Sequence, residues 1–141
     1  MKKIFLLIDG SEICPKAYEH AKKIAEKFDS QIIIFNAQDL TPPFGWLYNP
    51  VILKNEKSNP QKIAKRIVED EKKSFNGTGI KVTTETALGD PAVTILETVE
   101  KKDCDLIIMF THGMSRSKRF LIGSVTNKMV LHSKIPVLVI R

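Results

Sequence analysis

The run LIIMF at residues 106–110 places five apolar residues in succession with no polar residue among them. A strand with one wet face would alternate, so this run asks for a strand covered on both sides. Similar runs stand at residues 3–8 (KIFLLI), 32–35 (IIIF) and 135–140 (IPVLVI), and the stretches between them show helical spacing. Strands alternating with helices and joined by right-handed crossovers build a parallel sheet with helices on both faces. The expected fold is therefore α/β: a single-domain, open, doubly wound, Rossmann-like five-stranded parallel sheet of order 3-2-1-4-5. A chain of 141 residues suits one domain with a sizeable core, taken as residues 1–141.

The connecting stretches carry their own start signals. From Pro15 to Phe28 the apolar residues Ala17, Ala21, Ile24, Ala25 and Phe28 recur at three- and four-residue intervals, which predicts an amphipathic helix with His20 packed at the edge of its stripe. Asn59-Pro60 and Asp90-Pro91 each join a capping side chain to a proline suited to the first helical turn. The helices they open are expected to bury Ile63, Ile67 and Val68, and Ala92, Ile95, Leu96 and Val99. Val82, Thr84 and Thr86 alternate with polar residues, as in a strand near the sheet's edge. Val125, Met129 and Val130 mark a last helix.

Open parallel sheets bind ligands beyond the carboxyl ends of their strands. At that edge Thr111-His112-Gly113 leaves the fourth strand, and Gly123-Ser124 opens the last helix. Gly113 can turn with positive φ and come close to a ligand. A helix start offers unpaired N–H groups and partial positive charge, and Ser124 adds a hydroxyl. Arg116, Lys118 and Arg119 lie between the two glycines and would offset several negative charges. A nucleotide polyphosphate suits this set. The same residues also read as a strand end, a helix cap and a solvated basic turn, because glycine loops are weak signals in isolation. Asp9 at the end of the first strand has two readings as well. It either accepts hydrogen bonds from a nucleoside or assists a magnesium ion, or it begins an Asx turn into the helix at Pro15.

Gly113, nine intervening residues and Gly123-Ser124 resemble the ATP-binding signature of the universal stress protein family, Gly-two residues-Gly-nine residues-Gly-Ser/Thr. The stretches ALGDPAVTILETVEKKDCDLIIM and SVTNKMVLHSKIPVLVIR also resemble that family's third helix with its fourth strand and its closing helix with its last strand, so the resemblance spans nearly the whole chain. It implies ATP, with Mg2+, as ligand. It implies a nucleotide-binding set of Asp9, Ala37, Thr111, His112, Gly113, Met114, Ser115, Arg116, Gly123, Ser124, Val125 and Thr126. Within that set Gly113, Gly123, Ser124 and Thr126 would hold phosphates and Arg116 would add charge. Asp9 and the backbone at Ala37 would address the nucleoside. A homodimer through the edge strand Ile135–Ile140 is implied too. The departure is Phe110, which stands where the family has its first glycine. Phe110 fills the pocket, turns into the core, or stacks on adenine or ribose, and the sequence leaves the three outcomes open.

The resulting expectation is a cytoplasmic regulatory module of the stress response that binds ATP and hydrolyses it slowly at most, since no residue is a committed general base or nucleophile. His112 is expected to order its loop. The alternative is a dimeric protein-interaction module without nucleotide, with Phe110 closing the pocket and residues 38–58 as contact surface for a protein partner. In that segment Pro42, Pro43, Gly45 and Pro50 break any helix, yet Phe44, Trp46, Leu47 and Tyr48 make it too apolar for a free linker. It reads as a lid, a contact surface or a flap packed on its own domain.

The formal charge of +6 would suit an anionic partner, but the lysines alternate with glutamates on helix faces without aromatic interleaving, so nucleic acid is not expected. No stretch approaches the length that spans a bilayer, and MKKIFLLIDGSE meets Asp9 too soon for a secretory signal. Cys14 and Cys104 lack metal-ligand or CxxC spacing and read as free thiols in a reducing compartment.

Overall fold

A computed structural model describes residues 1–10, 15–40, 59–111 and 122–141. The elements are β1 (Lys3–Leu7), α1 (Pro15–Phe28), β2 (Gln31–Gln38), α2 (Pro60–Lys72) with a 3-10 turn at Lys73–Phe75, β3 (Val82–Leu88), α3 (Pro91–Lys102), β4 (Leu106–Phe110), α4 (Ser124–His132) and β5 (Val137–Ile140). The strands form a five-stranded sheet of order β3-β2-β1-β4-β5. Every pairing is parallel, as expected.

Period-two alternation divides the core into two halves and explains the unbroken apolar runs. Ile4, Leu6, Ile32, Ile34, Leu106 and Ile108 join Ala17, Ala21 and Ala25 of α1 and Val68 of α2 on one face. Phe5, Ile33, Phe35, Ile107 and Met109 join Ala92, Ile95 and Val99 of α3 and Met129 of α4 on the other. The Phe5 and Phe35 rings meet at 4.9 Å between centroids. Both expected caps form. Asn59 Oδ1 accepts from the Gln61 and Lys62 amides at 3.0 and 3.2 Å, and Asp90 Oδ1 accepts from the Val93 amide at 3.0 Å.

Four expectations are corrected. β2 runs to Gln38 rather than Phe35, because β3 continues the ladder through Asn36↔Thr86, Ala37↔Ala87 and Gln38↔Leu88. Ala37 is thus a strand residue. At the end of α1, Phe28 is 54% exposed and His20 is exposed too, since the stripe that touches the sheet is the alanine row. In α4, Met129 is buried while Val130 is 53% exposed. One residue along a helix turns the side chain by roughly 100°, so adjacent residues cannot share a buried stripe. β5 begins at Val137, after the turn in which Ser133 Oγ accepts from the Ile135 amide at 3.2 Å. The 38–58 segment beyond residue 40, the loop at 112–121 and Cys14 lie outside the described residues. Among the described residues no helix is long and apolar enough to cross a membrane.

Candidate functional site

The direction in which the chain adds strands reverses between β1 and β4. From β1 the chain steps outward through α1 and α2 on one face, then returns to β4 and β5 through α3 and α4 on the other. β1 and β4 are neighbours, with Leu6 opposite Ile108, and the edge beyond the carboxyl ends of such a pair is where open parallel sheets place their ligands.

The exit of β1 is held from two sides. The Ile8 amide donates to the Phe35 carbonyl at 3.0 Å, and the Asn36 side chain, 1% exposed, donates from Nδ2 to the Ile8 carbonyl at 2.9 Å. Asn36 is itself oriented by Gln38, whose Nε2 donates to Oδ1 at 2.7 Å. Beyond half-buried Asp9, Gly10 has φ +78°, and a Cβ there would stand 2.7 Å from Ile67 Cδ1 of α2. Positive φ and this contact together require glycine.

The exit of β2 presents main chain. The Phe35 carbonyl points to β1, so the polar backbone groups of Ala37, two residues on, point the same way. The Ala37 side chain packs on the α3 side.

At β4 the end of the strand is joined to the start of α4. The Thr111 amide donates to the Ile140 carbonyl at 3.0 Å, and the Thr111 carbonyl accepts from the Gly123 amide at 2.8 Å. Thr126, 3% exposed, donates its hydroxyl to the Phe110 carbonyl at 2.8 Å. Gly123 is the N-cap of α4, with φ −57° and ψ 152°, and among the described residues no side chain caps that helix. Ser124 follows, exposed at the first turn, where helix amides lack internal partners. The Phe110 side chain packs with the cluster on the α1–α2 face, opposite α4. Phe110 is half-buried there, its ring set against the edge of that cluster.

The topology thus brings Asp9, Ala37, Thr111, Gly123, Ser124, Val125 and Thr126 to one sheet edge. His112, Gly113, Met114, Ser115 and Arg116 lie outside the described residues. Sequence reasoning missed Asn36 and Ile67. A polar residue closing the run IIIFN was a faint signal for the first, and nothing local signals the second. Among the described residues no cluster of three or more His, Cys, Asp or Glu side chains could hold a metal. Cys104 is free and buried, and burial pushes its thiol up to about 11, which makes it unreactive. An open depression of about 780 Å³ between Lys2, the end of α1 and residues 78–81 lies at the amino edge, away from all of these groups.

The universal stress protein family matches over residues 1–141. The chain is 34% identical to Universal stress protein MJ0531 of Methanocaldococcus jannaschii over 146 residues, covering 99% of this chain and 82% of that one. Among solved structures, the protein MJ0577 of the same organism superposes with a TM-score of 0.83 at 29% identity, covering 99% of this chain and 94% of that one. Two more distant structures share the fold. One is a family protein from Arabidopsis thaliana with AMP bound, with a TM-score of 0.71 at 19% identity, covering 99% of this chain and 91% of that one. The other is a universal stress protein in complex with cAMP, with a TM-score of 0.61 at 22% identity, covering 99% of this chain and 96% of that one. With the family matched from end to end, this chain belongs to the universal stress protein family.

Proposed function

We propose that this protein binds an adenine nucleotide, ATP with Mg2+, at the sheet edge beyond β1 and β4, and serves as a nucleotide-dependent regulatory module of the stress response in the cytoplasm. The observation that carries this reading is the start of α4, which is tied to the end of β4 by the Gly123–Thr111 hydrogen bond and lacks a side-chain cap among the described residues. An uncapped helix start beside a sheet switch point suits phosphate. Gly123 and Ser124 receive the phosphates there in this reading, with Gly113 and Arg116 of the preceding loop, and Thr126 positions the helix through Phe110. Asp9 and the main chain of Ala37 address the nucleoside. Mg2+ usually keeps several waters and rides on the substrate's phosphates, so it would arrive with ATP. Adenine nucleotides on two structures of the same fold support the choice of base.

The site is read as binding rather than turning over nucleotide, because the sequence offers no committed general base or nucleophile. A homodimer through β5 belongs to the same reading. β5 is an edge strand whose Val137, Leu138 and Val139 are only partly buried, and such an edge accepts a second strand. The alternative is a nucleotide-free interaction module with Phe110 closing the pocket; the packing of half-buried Phe110 against the α1–α2 cluster favours the open site.

The test is to release any bound nucleotide from purified protein with acid, identify it by mass spectrometry, and titrate the stripped protein with ATP and Mg2+ by calorimetry. Saturable binding by the wild type, kept in Phe110→Leu, is expected. No binding by the wild type, with binding gained in Phe110→Gly, would overturn the reading.

A further inference from the structure

We infer that Asn36 and Ile67 are positioning residues that preset the Asp9–Gly10 turn before ligand arrives, so that α2, which supplies none of the proposed contacts, governs nucleoside recognition. The inference rests on the nucleotide reading and deepens it. Asp9 sits between two fixed points. On its amino side Ile8 is held by both its backbone groups, the amide by Phe35 and the carbonyl by the buried Asn36 side chain. On its carboxyl side Ile67 Cδ1 occupies the space beside Gly10 that a Cβ would need, 2.7 Å from where that atom would stand.

The backbone that carries Ile67 is held because α2 is anchored along its length. Asn59 caps its first turn, and Ala64 and Val68 are fully buried against the sheet. Glu69 Oε1 accepts from the Thr84 hydroxyl of β3 at 2.8 Å. At its far end Glu71 accepts from the Tyr18 hydroxyl of α1, and Phe75 meets the Tyr18 ring edge-on at 5.7 Å between centroids. A recognition group held by packed neighbours loses little freedom on binding, which is how affinity is gained from residues that never touch the ligand.

Ile67→Val is the sharpest probe, since it deletes the Cδ1 atom and keeps the rest of the side chain. It is expected to weaken ATP about three- to tenfold while inorganic tripolyphosphate, which addresses only the α4 end, changes less than about twofold. In the ligand-free protein, amide relaxation should show Asp9 and Gly10 more mobile in Ile67→Val and in Asn36→Ala than in the wild type. Gly10→Ala should weaken ATP strongly, and the Gly10→Ala/Ile67→Val double variant should bind better than Gly10→Ala alone. Additive losses, equal losses for ATP and tripolyphosphate, or an unchanged Asp9–Gly10 turn would each overturn the inference. Failure of the wild type to bind ATP would overturn the nucleotide reading and the recognition role together. The relaxation data would still decide separately whether Ile67 and Asn36 fix the turn.

Discussion

At the amino edge of the sheet charged side chains tie the starts of β1 and β4 together, whereas at the carboxyl edge neutral ones hold the ends of the same two strands. The Asp105 carboxylate accepts from the Lys2 and Lys3 amides at 2.6 and 2.8 Å, and Lys3 Nζ donates to the Lys102 carbonyl at 2.7 Å. At the other edge the buried Asn36 amide holds Ile8 and the buried Thr126 hydroxyl holds Phe110. Charges at the amino edge are consumed by the fold. Asn36 and Thr126 fix the ends of β1 and β4 without themselves adding charge beside a charged ligand. The helix starts at this edge differ among themselves: Asn59 and Asp90 cap α2 and α3, while α4 starts at Gly123 without such a side chain among the described residues.

The largest expected effect comes from erasing that last difference. Gly123→Asp gives α4 a cap like that of α3, and the backbone at Gly123, φ −57°, accepts a side chain. The added carboxylate should cost ATP binding at least about 100-fold, or about 2.7 kcal/mol, by calorimetry. Thermal stability should stay level or rise by a few tenths of a kcal/mol, about the difference between glycine and aspartate at an N-cap. Unchanged ATP affinity would mean that phosphates do not sit at α4.

The reverse change on α3 should act on folding alone. Asp90→Ala removes the hydrogen bond to the Val93 amide and an exposed 3.7 Å ion pair with Lys128 of α4, and should cost about 1 kcal/mol in denaturant unfolding, nearly all of it from the cap. ATP affinity should be unaffected. A loss of affinity here would mean that the two helix starts are not independent.

The smallest effect is expected at the amino edge. Hydrogen bonds from the Lys3 and then the Lys2 amide hold the Asp105 carboxyl below its ordinary 3.8. A carboxylate with a lowered folded-state value stabilises the protein above the unfolded value, and this contribution fades as pH falls through the folded one. The wild type should therefore lose melting temperature on acidification below about 3.8, and Asp105→Asn should show a flatter profile over that range. ATP binding at neutral pH should be the same in both. A change in ATP affinity would show that the two edges communicate through β1.

The parts of this protein that were legible in its sequence are those whose physics is local. Unbroken apolar runs announce strands buried on both faces, and Asn59-Pro60 and Asp90-Pro91 announce helix starts, because a cap and its amides lie within three residues. Crossover handedness then leaves few strand orders, and the observed one is among them. Gly123-Ser124 was visible as a helix start for the same local reason. Tertiary structure alone decided the rest. Pairing with β3 extends β2 through Ala37, the strand's register sends Phe110 to the α1–α2 face, and the fold sets Ile67 against a glycine 57 residues earlier. Those outcomes depend on which distant backbone or side chain occupies the neighbouring space, and the residue's own chemistry and its near neighbours in the chain do not encode that.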